Sequence, residues 1–425
     1  MTTDHTPMWK NLGLDIEAHD ALLSVLGQAY GDIYLAQENR PEGMGYFDFV
    51  MSEVHGQRIQ ELVDAQAAGR KVIGCYCVFV PEEISLAAEA IQVGLCSGAD
   101  FAMDEVEKYL PRNTCALIKS SLGFKLAKVC PYLECSDLVV GENTCDGKKK
   151  AYENLGTLAD NLYVMDLPQV KSDEGRALLK AEFIRYKEAV EALTGNTIDV
   201  AALKKGIAIV NNKRKAMARL AALRHNPVLP ISGLDALIAN QVFFYDDPVR
   251  FTDAVNALCD ELETRIAEKT TVVADGTPRI LVSGCPMAVP NWKLPAVIET
   301  SGAVIVAEES CVGERGCRNL TDDSADDLDG LMDALVDRYL AIDCAIFTPN
   351  TERSGHIKEL AEKSKADGVI QYTLNFCQPY AMEAIPLEKE LEETGLPTLR
   401  IETDYSQEDM GQLKTRVEAF VELLK

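Results

Sequence analysis

Residues 71–96 read KVIGCYCVFVPEEISLAAEAIQVGLC. After Lys71 the next nine are apolar or small and rich in β-branched residues, and KVIGCYCVFV is expected to be a buried strand. Pro81 and two glutamates then open a helical stretch, since proline is tolerated in a first turn and acids favour a helix N-terminus. IQVGLC predicts a second strand. A strand, a short crossover helix and a strand make a parallel βαβ unit, and working outward the pattern recurs. A helix is expected over RNTCALIKSSLGFKLAKV, capped by Asn113 or Thr114, then a strand at DLVVGENTC, a helix at KKKAYENL and a strand at NLYVMDLP.

Alternation then stops. Residues 172–195, SDEGRALLKAEFIRYKEAVEALTG, and stretches near 199–224 and 249–268 carry apolar residues at helical spacing. It resumes at RILVSGC, with strands expected at 279–284, 303–308, 345–348, 368–374 and 397–402 and a last helix at the C-terminus. The expected fold is α/β, two doubly wound parallel-sheet (Rossmann/flavodoxin-like) domains facing a cleft. The divisions are an N-terminal helical segment over 1–68 (broken at NRPEGMGY), a first α/β domain over 69–170, a helical connection over 171–272 and a second α/β domain over 273–425. GCYCVFVP at 74–81 and GCPMAVP at 284–290 echo each other across the halves.

The 425 residues are 47% hydrophobic and 26% charged, the balance of a globular protein. The net charge of −25 argues against nucleic acid or an anionic membrane as partner, because both reward basic surfaces. With no spanning run and no apolar leader in MTTDHTPMWK, the expected location is cytoplasmic. There the thirteen cysteines point away from disulfides and toward metal or redox chemistry.

The cysteines fall at predicted strand ends in both halves: Cys75 and Cys77, Cys96, Cys145, Cys285, Cys311 and Cys377. Ligands of open parallel sheets bind outside the carboxyl ends of the strands, so two facing domains would bring these thiols to one cleft. Cys115 and Cys145 are also expected in first helical turns, where the helix dipole would lower a thiol pKa. Without a CxxC pair, and with His5, His19, His55, His225 and His356 read as surface or structural, scattered thiolates favour an iron–sulfur group over zinc. GENTCDGKK at 141–149 has the wrong spacing for a phosphate loop and no hydroxyl after Lys148. Cys130, Cys135 and Cys259 read as structural. Glu82, Glu83, Glu308, Glu309, Lys293 and Arg315 lie near the thiols; Glu82, Glu309 and Lys293 are the candidates to relay protons, although Glu82 and Glu83 also suit a helix start.

Taken as a set, CVFVPEE (77–83), CALIKSSLG (115–123), TCDGKKK (144–150), EESCVGER (308–315) and NFC (375–377) resemble the 2-hydroxyacyl-CoA dehydratase and benzoyl-CoA reductase family. With GCPMAVPNWKLP (284–295) and DCAIFTPN (343–350), the chain looks most like its double-cubane cluster proteins. The resemblance implies one [4Fe–4S] cubane on Cys77, Cys115 and Cys377. The double-cubane form adds a second cubane, joined by sulfide, on Cys145, Cys311 and Cys344. Rival ligands are Cys75 for Cys77, Cys317 for Cys311, and also Cys96 and Cys285. It further implies a homodimer, an oxygen-sensitive cluster, and a separate ATPase activator with its own [4Fe–4S] cluster that passes electrons on for reduction of a small molecule. The alternatives are a single-cubane subunit of a 2-hydroxyacyl-CoA dehydratase (a lyase) or aryl-CoA reductase, and a non-catalytic electron-storage or binding protein.

Overall fold

The computed structural model describes residues 4–425. Eight strands run as β1 Val72–Cys75, β2 Ile91–Gly94, β3 Leu138–Glu142, β4 Leu162–Met165, β5 Arg279–Gly284, β6 Val304–Glu309, β7 Gly368–Leu374 and β8 Thr398–Thr403. They form two four-stranded sheets of the same order, β2-β1-β3-β4 and β6-β5-β7-β8, and each neighbouring pair is parallel. Of the inner strands, β1 and β7 are buried along their whole length and β3 and β5 at every residue after the first, as helices on both faces require. The edge strands β4 and β8 keep partly exposed residues. The architecture is the expected one: two Rossmann/flavodoxin-like lobes with N-terminal and connecting helices.

The echo between the halves has a structural meaning. GCYC and GCPM leave β1 and β5, strands in equivalent places of the two sheets. Gly284 closes β5 at φ +139°, and a Cβ there would lie 2.0 Å from the Tyr372 carbonyl oxygen. Only glycine lets the chain turn off the sheet that close to β7.

Two expected strands are shorter or absent. The first ends at Cys75, and Cys77–Phe79 form a turn closed by Val80 N–H donating to the Cys77 carbonyl at 3.4 Å. The apolar run continues because that turn is buried, with Phe79 and Val80 almost wholly enclosed. The expected strand at 345–348 is likewise a turn, with Phe347 N–H donating to the Cys344 carbonyl at 3.1 Å and the Phe347 ring packed edge-on to Phe79. A short apolar run has no period with which to tell a strand from a buried turn.

The connection consists of helices Asp173–Thr194, Val200–Arg224, Gly233–Val242 and Pro248–Ala267. Ser172, Asp199, Ser232 and Asp247 cap their N-termini with side-chain oxygens. Helix Val200–Arg224 crosses helix Glu82–Ala87 of the first lobe at Gly206, where a Cβ would lie 2.3 Å from the Glu83 carbonyl oxygen. One continuous buried core takes in Ile73 and Val140 of the first sheet, Leu203 and Ile207 of this helix, and Ile280 and Ile370 of the second sheet.

Candidate functional site

The carboxyl ends of both sheets open onto a cavity of about 600 Å³, and nine of the thirteen cysteines reach its wall. Strand β1 ends in Cys75, and Cys77 stands in the turn that follows. Cys96 comes after β2 and donates to the Tyr76 carbonyl at 2.8 Å. Cys145 comes after β3, at the N-cap of helix Asp146–Leu155, with its sulfur accepting from Lys148 N–H at 3.5 Å. In the second lobe Cys285 follows β5 and accepts from Leu374 N–H at 3.4 Å. Cys311 follows β6, and Cys377 follows β7 at the N-cap of helix Gln378–Glu392. Two thiols come from loops instead: Cys115 before helix Ala116–Leu126, and Cys344 after helix Leu328–Leu340. Helix Ala116–Leu126 is therefore capped by Cys115, not by Asn113 or Thr114 as the sequence suggested.

Backbone contacts fix the lobes against each other at this wall. Ala116 N–H donates to the Asn375 carbonyl at 3.2 Å, which holds Cys115 next to Cys377, and Gly98 N–H donates to the Val289 carbonyl at 2.9 Å. Cys377 has Cys115 and Cys285 as electrostatic neighbours, while Cys311 and Cys344 neighbour each other and Cys77. Among the described residues no three His, Cys, Asp or Glu side chains converge where a single ion would sit; the thiols are spread around the wall. Cys130, Cys135, Cys259 and Cys317 do not line the cavity.

The thiol electrostatics reverse one expectation. Backbone N–H groups at the helix starts do favour the thiolates of Cys115 and Cys145, but other effects are larger. The Cys377 side chain and burial raise Cys115 well above the ordinary thiol value, and burial raises Cys145. Burial also pushes Cys96 up to about 11 and raises Cys77 and Cys311. The cause is desolvation, which penalises the charged form. Thiolate in such a wall needs a positive partner, and a metal group supplies one.

Glu82 lines the cavity, where its carboxylate is paired with Lys213 at 2.8 Å. Glu309 lies behind the wall, bonded to Arg315, Arg353 and Ser283. Lys293 is buried in the second lobe and off the cavity wall, donating to Thr403, Ser406 and Asp409. Sequence reasoning passed over Lys148, Lys213, Arg214 and Tyr380, which all reach the wall. Lys213 is 2% exposed and its ammonium sits 3.8 Å above the Phe243 ring. The basic run NNKRK gives no sign that some of its members face inward.

Two parallel α/β lobes whose strand ends deliver thiols to a shared cleft define a two-lobed, thiol-lined α/β protein. Residues 77–424 match the family described as 2-hydroxyglutaryl-CoA dehydratase, D-component. The chain belongs to the 2-hydroxyacyl-CoA dehydratase and benzoyl-CoA reductase family. It is 39% identical over 380 residues to "Putative dehydratase subunit YjiM" of Escherichia coli (strain K12), covering 88% of this chain and 96% of that protein. It is 27% identical over 366 residues to the (R)-phenyllactyl-CoA dehydratase beta subunit of Clostridium sporogenes, covering 84% and 93%. Against (R)-2-hydroxyglutaryl-CoA dehydratase, subunit beta, of Acidaminococcus fermentans it is 26% identical over 378 residues, covering 85% and 95%.

Proposed function

We propose that this chain is a low-potential iron–sulfur component that takes electrons from a separate ATP-hydrolysing activator and reduces a small substrate. The observation that carries the reading is the convergence on one cavity of Cys77, Cys115, Cys145, Cys311, Cys344 and Cys377, drawn from both lobes. The donor set fits an iron–sulfur group, since nine cysteines and no histidine reach the wall and soft thiolates are the ligands of such clusters. These six would hold two [4Fe–4S] cubanes bridged by sulfide, with Cys75, Cys96 and Cys285 as further thiols in reach. When bound, the group supplies one-electron chemistry at low potential. The protein's own residues orient the thiols through the cross-lobe hydrogen bonds. They also shelter them from water, and they place the Glu82–Lys213 pair where a proton could be held beside the cavity. In this reading the protein is a homodimer.

A second reading is a single-cubane subunit of a 2-hydroxyacyl-CoA dehydratase or aryl-CoA reductase, on Cys77, Cys115 and Cys377. The relatives' names favour it, because two of them are acyl-CoA dehydratase beta subunits. Iron and acid-labile sulfide per chain, measured on protein purified without oxygen, separate the two. About eight iron atoms support the double cubane, about four the dehydratase subunit, and none removes both.

A further inference from the structure

Two of the cavity's thiols have side-chain donors behind them. An Arg315 guanidinium nitrogen lies 3.8 Å from Cys311 Sγ, and the Tyr380 hydroxyl lies 3.7 Å from Cys344 Sγ. Arg315 also donates to that hydroxyl, which leaves the hydroxyl hydrogen to point at Cys344. The Arg315 side chain is wholly buried. Its Nε donates to Glu309 at 2.8 Å, and Glu309 in turn accepts from Ser283 at 2.6 Å and from Arg353 at 3.2 Å. Two guanidiniums approach the Tyr380 ring, Arg315 at 5.5 Å and Arg353 at 4.9 Å from its centroid.

A clamp for the loop after β6 would need only the Arg315–Glu309 contact. The remaining nitrogen of the fork is aimed at a thiol and a tyrosine, both in the cavity wall. On the first lobe's side Lys148 reaches the wall but is bonded to Glu142. The two ends of the cavity therefore differ in what faces the sulfur atoms.

Resting on the iron–sulfur reading above, we infer that Arg315 and Tyr380 are positioning residues that raise the reduction potential of the iron bound by Cys311 and Cys344. Reduction adds one electron, and so one negative charge, to the thiolate-bound iron. Hydrogen-bond donors and a desolvated cation at the thiolates stabilise that more negative state. Cys77, Cys115 and Cys377 have backbone N–H donors but no arginine or tyrosine side-chain donor, so iron held by them is the harder to reduce and electrons settle at Cys311 and Cys344.

The test is a redox titration of the anaerobically purified holoprotein, reduced with titanium(III) citrate and followed by electron paramagnetic resonance. Iron and sulfide are counted in the same samples. Tyr380→Phe removes one hydroxyl and leaves the Arg315–Glu309 pair intact. It is expected to keep wild-type iron and to weaken the easier reduction about tenfold, the size of one hydrogen bond to a charged acceptor, or about 59 mV to more negative potential. The harder reduction should not move. Arg315→Lys keeps the charge without the fork and should shift the same step in the same direction. Unchanged midpoints in Tyr380→Phe at wild-type iron content overturn the inference. If the wild-type protein carries no iron, or only about the four atoms of one cubane, the double-cubane reading falls and takes this inference with it.

Discussion

Arg214→Met would test whether the lobes are held about the cavity by one buried ion network. Glu83, in the first lobe, is fully buried. It accepts from Arg214 of the connecting helix at 2.7 Å, from Thr321 at 3.1 Å and from Tyr339 at 2.8 Å, the last two belonging to the second lobe. Burial pushes the Glu83 carboxyl up, but Arg214 and Arg338 more than reverse it, so its pKa lies below the ordinary value. Methionine at 214 keeps most of the volume and removes the charge. Breaking a buried pair in this way costs about 3–5 kcal/mol, a large part of a typical folding stability of about 5–15 kcal/mol. The assay is urea unfolding at pH 7, followed by tryptophan fluorescence and circular dichroism together, because a two-lobed chain can unfold in more than one step. The double variant Glu83→Leu/Arg214→Met should lose much less than the sum of its singles, since neither charge is then stranded. Acid should remove the same contribution. A carboxylate with a depressed folded pKa stabilises above its unfolded value, about 4.3, and loses that effect as the pH falls through the folded value. A cost under about 1 kcal/mol for Arg214→Met, or a double variant as unstable as the two singles added, would refute the network.

Gly206→Ala should also loosen the cleft, because its Cβ would meet the Glu83 carbonyl oxygen at 2.3 Å; a loss of about 1–3 kcal/mol is expected in the same urea assay. Cys115→Ser and Cys377→Ser should each lower iron per chain, whereas Cys259→Ser, buried within helix Pro248–Ala267 and away from the cavity, should leave it unchanged. Burial holds His19 down to about 4 and His55 to about 3. Below pH 6.5 the unfolded chain binds protons that these two imidazoles refuse when folded, so stability should fall by about 1.4 kcal/mol per pH unit for each. Urea midpoints between pH 7 and 5 would check this, with His55→Gln showing the shallower fall.

The fold was largely legible because parallel strands covered on both faces must be apolar throughout, and three of the four connecting helices declare themselves by spacing; Gly233–Val242, buried at every residue, has no apolar period to read. RILVSG was read as β5 to the residue, because the glycine that ends it is also a sequence signal. KVIGCYCVFV and 345–348 were overextended for one reason: a buried turn is as apolar as a strand. The thiols were legible as strand-end residues, and the six assigned by resemblance all reach the cavity. Their protonation was not, since the helix start that lowers a thiol pKa is local while the burial that raises it depends on the other lobe. Lys213, Arg214 and Tyr380 escaped notice because only tertiary packing turns those faces inward.

The cavity's thiols are scattered along the chain from Cys75 to Cys377, and no strand exit supplies more than two of them. Any group that binds several at once closes loops spanning most of the polypeptide, and such closures restrict the unfolded ensemble strongly. On the proposed function, iron would act as a late rivet. It would have nothing to grip until both sheets exist and face each other, and once seated it would make separation of the lobes and loss of metal a single event.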